Sequence, residues 1–200
     1  MRREYIDSSG RFLVTEKLIH LSEEQFVYHG LAICPEVRVD GLLNGYDYIV
    51  SYGKNRNAGT ALVFITGIGR YTGTVTKTYQ ILPAPLSNAS VKLQKKLKYT
   101  GKKRYAKTTL TYLDDKLQNG KDYMLSYKNN KNPGYATVII TGKGNYHGQI
   151  SLRFKIIPKT PESLKVKSTK ERVRILHWKK HRVSMDIKCN IVRNPNLKGI

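Results

Sequence analysis

Two stretches of this chain are copies of each other, and that repeat limits the fold more than any other feature. Asn44-Gly-Tyr-Asp-Tyr-Ile-Val-Ser-Tyr52 returns as Asn119-Gly-Lys-Asp-Tyr-Met-Leu-Ser-Tyr127. Asn55-Arg-Asn-Ala-Gly59 returns as Asn130-Lys-Asn-Pro-Gly134, and Thr66-Gly-Ile-Gly-Arg-Tyr-Thr-Gly73 as Thr141-Gly-Lys-Gly-Asn-Tyr-His-Gly148. All three keep an offset of 75 residues. Self-similarity at a fixed period means one structural unit used twice. Upstream, Tyr28-His-Gly30 matches Tyr99-Thr-Gly101 at the smaller offset of 71. The second copy therefore carries extra residues, most simply in a turn around Leu113-Asp-Asp-Lys116, where insertions are tolerated best.

Within each copy the apolar residues recur every second position. Tyr48, Val50 and Tyr52 share a face, as do Ala61, Val63 and Ile65, matched by Tyr123, Leu125, Tyr127 and by Ala136, Val138, Ile140. Ile150, Leu152, Phe154 and Ile156 form another such run; Lys77 stands where Leu152 stands and suggests a strand end near solvent. A two-residue period is the mark of strands with one buried face. Asn- and Gly-rich stretches between the runs supply tight turns. Each copy closes on aromatic-x-Ile-x-Pro, Tyr79 to Pro83 and Phe154 to Pro158, since proline cannot donate to a ladder. The expected fold is all-β: tandem antiparallel sandwiches with a partial third β-module. The boundaries read as a leader without clear fold at 1–17, repeat 1 at 18–83, repeat 2 at 88–158 and a partial segment at 161–200. Pro83-Ala-Pro85 and Pro158-Lys-Thr-Pro161 read as short stiff joints.

The repeated pattern Tyr-x-Gly, Asn-Gly-x-Asp-Tyr, Ser-Tyr-x-x-Asn, Ala-x-Val-x-Ile-Thr-Gly-x-Gly-x-Tyr-x-Gly resembles a bacterial immunoglobulin-like repeat of large surface and secreted proteins. The resemblance covers about Leu18 to Pro158. It implies a spacer, stalk or presentation module at the cell surface or outside the cell, with no catalytic residues and no cofactor. The stretch from Pro161 through Trp178 is similar to the opening of a fibronectin type III module, where a Trp such as Trp178 packs in the core. Met185, Ile187, Cys189 and Ile191 would make its next strand. Only about 40 residues remain there, less than half of what such a module needs. The segment is expected to pack poorly or to pair its edge with another chain.

The formal charge of +22 favours polyanionic partners by long-range attraction. The candidate partners are an anionic cell-wall polymer or glycan or a membrane surface, with nucleic acid less favoured; the alternative is that the charge only keeps a stalk soluble. Basic residues cluster at Lys95-Lys96-Leu-Lys98, at Lys102-Lys103-Arg104 and from Lys165 to Arg182. Alternating strands would spread them over a solvated outer face. Tyr71 and Tyr146 sit between glycines, where an aromatic closes the end of a sandwich or stacks on a sugar. With Tyr112 they form the test of the alternative function, a carbohydrate-binding accessory region of a larger secreted enzyme, which needs exposed coplanar rings.

No acid, base and nucleophile set stands at catalytic spacing among the five histidines. His147 replaces Thr72 in a turn and reads as a solvated loop residue. Asp47 and Asp122 each stand alone before a strand and read as turn caps, not calcium ligands. Cys34 and Cys189 lie in different modules and read as free buried thiols. The first seven residues carry no apolar stretch of the secretory kind, and no run is long enough to span a membrane. Read literally, the chain is cytoplasmic; read as a fragment, its export signal and anchor lie elsewhere.

Overall fold

The computed structural model describes residues 6–159, 164–168 and 174–178. The fold is all-β, and among the described residues the only helical turns are two three-residue 3-10 segments, Glu16–Leu18 and Leu86–Asn88. The first module contains β1 (Phe12–Leu13), β2 (Ile19–Leu21), β3 (Gln25–Val27), β4 (Val37–Val39), β5 (Tyr48–Gly53), β6 (Gly59–Gly67), β7 (Tyr71–Thr72) and β8 (Thr74–Leu82). The second contains β9 (Ala84–Pro85), β10 (Ser90–Leu93), β11 (Lys96–Lys98), β12 (Thr108–Tyr112), β13 (Asp115–Lys116), β14 (Tyr123–Lys128), β15 (Gly134–Gly142), β16 (Tyr146–His147) and β17 (Gln149–Ile157).

Each module lays a four-stranded sheet against a smaller one. The larger sheets run β3-β8-β6-β5 and β11-β17-β15-β14, with the same pairing in both. The outermost strand of each is parallel to its neighbour, Gln25 opposite Gln80 and Lys96 opposite Lys155. The smaller sheets are β2-β4 and β10-β12-β13. Ala61, Val63, Ile65 and their counterparts Ala136, Val138, Ile140 have no exposed surface, as their period requires. Their cores form two clusters, one from Val14 to Ile81 and one from Ala84 to Ile156.

The repeat is exact in its turn chemistry. Asp47 accepts the Leu43 N–H at 2.8 Å, and Asp122 accepts the Gln118 N–H at 2.8 Å. Both carboxylates therefore cap a turn. Gly67 and Gly142 are dictated by contact, because a Cβ at either would meet the returning backbone at 2.6 and 2.9 Å. The extra residues of the second copy lie between Leu110 and Leu117, as the β12–β13 hairpin. Its tip residues Leu113 and Asp114 have φ of 46° and 67°, the left-handed pair that a two-residue hairpin turn needs.

Four local features differ from what the sequence suggests. The first module begins upstream of Leu18: β1 pairs with β7 in parallel, and Val14 is buried in the core. A two-residue strand is too short to show a period. Pro83-Ala-Pro85 is no separate joint, because β8 ends at Leu82 and β9 begins at Ala84, which is fully buried. Cys34 is exposed, not buried. It alternates with buried Ile33, Pro35 and Val37, and so falls on the outer face beside Glu36 and Arg38. Lys77 is half-buried, and its amine donates to the Ile19 carbonyl at 2.9 Å, its stem covering apolar surface on the way.

Residues Pro158–Ile200 form a separate unit. Within it β18 (Leu164–Ser168) pairs antiparallel with β19 (Arg174–Trp178), Leu164 opposite Trp178. The expectations for the Trp178 side chain, the 185–191 strand and Cys189 lie outside the described residues.

Candidate functional site

Two places concentrate side chains that do more than fill a core. The first is where the two modules meet. Asn145, in the β15–β16 turn, accepts the Ala58 N–H at 2.8 Å and donates its amide to Asn57 Oδ1 at 2.9 Å. Its backbone carbonyl accepts the Ala84 N–H at 2.9 Å. Beside it the Tyr146 ring meets Tyr28 of the first module edge-on at 5.6 Å and Tyr112 at 5.3 Å. The Tyr112 hydroxyl reaches the Tyr28 carbonyl at 3.4 Å, so the inserted hairpin contributes directly to this contact. Tyr28 packs on both cores.

These contacts decide the aromatic candidates. Tyr146 is 6% exposed, and burial pushes its phenol well above the ordinary tyrosine range. Tyr71 is half-buried against Phe12, ring centroids 5.9 Å apart. Tyr112 and Tyr146 stand at 77° to each other. The three rings form no flat platform for a sugar. His147 is exposed as expected, but it lies in the short strand β16, opposite Pro85, and not in a loop.

The second place is the outer face of the β11-β17-β15-β14 sheet. Lys96 and Lys98 on β11, Lys155 and Arg153 on β17 and Lys128 on β14 are all exposed. The register places Lys96, Lys155 and Tyr135 in one cross-strand row. Arg153, Thr137 and Lys128 make the next. Tyr135 is 59% exposed, with the Arg153 guanidinium 4.5 Å from its centroid and the Lys155 amine 5.7 Å away. At about 4.8 Å between strands and 7 Å between alternate residues, five cations share a patch some 15 Å across.

The corresponding face of the first module is neutral. Gln25, Val27, Gly53, Thr60, Thr78 and Gln80 occupy the positions of Lys96, Lys98, Lys128, Tyr135, Arg153 and Lys155. Gln80 and Thr60 instead hydrogen-bond each other across the strands. The asymmetry extends to whole modules. Residues 6–83 hold seven Lys and Arg against seven Asp and Glu, whereas residues 84–159 hold sixteen against three. The ion pairs among the described residues, made by Asp7 and Asp40, all belong to the first module.

Lys102 and Lys103 are exposed on the loop between β11 and β12. Arg104 is half-buried: its N–H donates to the Asn130 carbonyl at 2.6 Å, and its Nε is buried without a hydrogen-bond partner. The basic cluster legible in the sequence thus supplies two free cations and one tethered one. Lys128, Tyr135, Arg153 and Lys155 escape any search for runs, because they are scattered along the chain. Aligning the two copies and marking where only the second is basic would have found them. Among the described residues no three His, Cys, Asp or Glu side chains gather as a metal would require, and no helix is long and apolar enough to cross a membrane. No protein-family model matches the chain, and no curated protein matches its sequence.

Proposed function

We propose that this chain is a non-enzymatic structural and adhesive part of a bacterial cell-surface or secreted protein. Two immunoglobulin-like sandwiches act as a spacer, and the second presents a basic surface to anionic wall polymer. The observation that carries the reading is the junction. Only Pro83 separates β8 from β9, and Asn145 and Tyr146 lock the modules across it. A spacer must transmit position, and a one-residue link clamped on its side does so where a flexible linker would not. The repeated side chains point the same way: the shared Asn-Gly-x-Asp-Tyr motif is used up in turn capping and core packing.

Backbone relaxation of the full chain tests the mechanical half. Residues of β1–β8 and β9–β17 should report a single rotational diffusion tensor. Independent tumbling of the two modules would refute the spacer. Antibody labelling of intact source cells tests the location. Signal that appears only after the cells are permeabilised would overturn it.

A further inference from the structure

We infer that the outer face of the β11-β17-β15-β14 sheet is a binding surface for a linear polymer of phosphodiesters without bases. Lys96, Lys98, Lys128, Arg153 and Lys155 carry the charge, and Tyr135 holds the arginine in place. This deepens the adhesive half of the proposed function and names its residues.

The argument starts from a cost. Lys96 and Lys155 stand directly opposite across two strands, an arrangement of like charges that weakens a sheet. None of the five cations has a carboxylate within ion-pair distance among the described residues. The same scaffold without these charges exists in the same chain, where Gln25 faces Gln80. The fold therefore does not require them. A polyanion lying across the rows would convert the repulsion into attraction.

The geometry also selects the kind of polyanion. Four of the five cations are lysines, point charges that suit phosphate oxygens, and the single planar fork that would favour a carboxylate, Arg153, is already engaged on Tyr135. Single-stranded nucleic acid needs open aromatic faces on which successive bases stack. Here the one exposed ring of the face is covered by its own guanidinium at 4.5 Å. Around it lie Thr137, Ile139, Ser151 and Ser126, none of which stacks. Tyr135 acts as a positioning residue that holds Arg153 by a cation–π contact.

The test titrates the full chain with soluble poly(glycerol phosphate), an oligothymidylate and polyglutamate, each matched for charge. Poly(glycerol phosphate) should bind tightest and shift the amide resonances of β11, β15 and β17. The triple variant K96Q/R153Q/K155Q should lose at least tenfold in affinity, and its salt slope should fall by about 2 to 3, at about 0.7–0.9 per cation removed. Its melting temperature should hold or rise, which separates lost binding from lost folding. Removing four exposed cations of the first module, K17Q/K54Q/R56Q/R70Q, should change the affinity less than twofold. Unchanged binding by the triple variant, resonance shifts centred elsewhere, or equal binding of polyglutamate would overturn the proposal. Tighter binding of oligothymidylate would replace it with nucleic-acid recognition. Relaxation of the same variant reads the junction separately, so binding and spacing can fail independently.

Discussion

Replacing Asn145 by Ala should uncouple the two modules while leaving each one folded. The substitution deletes the acceptor for the Ala58 N–H at 2.8 Å and the donor to Asn57 Oδ1 at 2.9 Å. A net hydrogen bond contributes about 0.5–1.5 kcal/mol. The Ala58 bond is partly buried and belongs near the top of that range, whereas the exposed Asn57 bond belongs near the bottom. Together they amount to about 2 kcal/mol. The backbone bond from Ala84 N–H to the Asn145 carbonyl survives, so the turn itself keeps its place. Amide exchange provides the assay: protection of the Ala58 N–H should fall some tenfold or more, since about 1.4 kcal/mol corresponds to a factor of ten. Protection of Val63 and Val138, deep in the two cores, should not change. Asn145→Asp separates the two bonds, because it keeps an acceptor for Ala58 but sets a carboxylate against Asn57 Oδ1. Arg70 is the counterpart of Asn145 in the first module, and Arg70→Ala should cost less than about 0.5 kcal/mol. If Asn145→Ala leaves Ala58 as protected as before, the side chain does not hold the junction and the reasoning fails.

Other substitutions probe the remaining elements. Tyr79→Phe removes the 2.6 Å bond to the Ile33 carbonyl but leaves that acceptor its second donor, Asn55, so urea unfolding should show a loss of about 1 kcal/mol. Burial pushes the Tyr79 phenol up to about 12 from 10.0, so its contribution is intact below pH 10 and lost as the pH rises towards 12. That loss is about 2–3 kcal/mol, and Tyr79→Phe should flatten the alkaline limb of the stability curve by as much. Gly67→Ala forces a Cβ to within 2.6 Å of the Thr72 nitrogen and should cost about 1–3 kcal/mol by thermal unfolding. Tyr112→Phe removes the hydroxyl that donates to the Tyr28 carbonyl across the junction at 3.4 Å, and should lower the coupling between modules by about 0.5–1 kcal/mol, checked as a separation of the unfolding of the two modules.

The strands were legible because their faces alternate and because each pattern occurs twice. Ala61-x-Val63-x-Ile65 has one buried face whichever strands flank it, and the structure gives those residues no exposed surface. The inserted hairpin was legible from a change of offset alone. Pairing partners were not, since the parallel contacts of β1 with β7 and β3 with β8 involve two or three residues each. A run that short carries no period, and parallel pairing joins segments far apart in the chain. The residue type of Cys34 points inward, but the alternation from Ile33 to Val39 places it outward, and register outweighs residue type there. The junction lay hidden for a different reason. Asn145 sits in a turn where asparagine is ordinary, and only tertiary structure shows that its amide serves a neighbouring module.

The duplicated scaffold separates what the fold requires from what was added to it. Positions that hold the sandwich keep their character in both copies: Tyr48 and Tyr123, Ala61 and Ala136, Gly67 and Gly142, Asp47 and Asp122. A residue that differs in kind between copies, at an exposed site of the same sheet, is under no demand from packing. Thr78 became Arg153 and Gln80 became Lys155, or the reverse, without altering a strand pairing. Drift alone would mix both signs of charge on such a face. The second module's other eleven cations lie elsewhere, but on this face every charged replacement is basic, and Lys96 and Lys155 are left facing each other at some cost to the sheet. The proposed anionic ligand lying across the rows would offset that cost, and the loss of affinity expected of K96Q/R153Q/K155Q, with a melting temperature that holds or rises, is the outcome that separates the two demands.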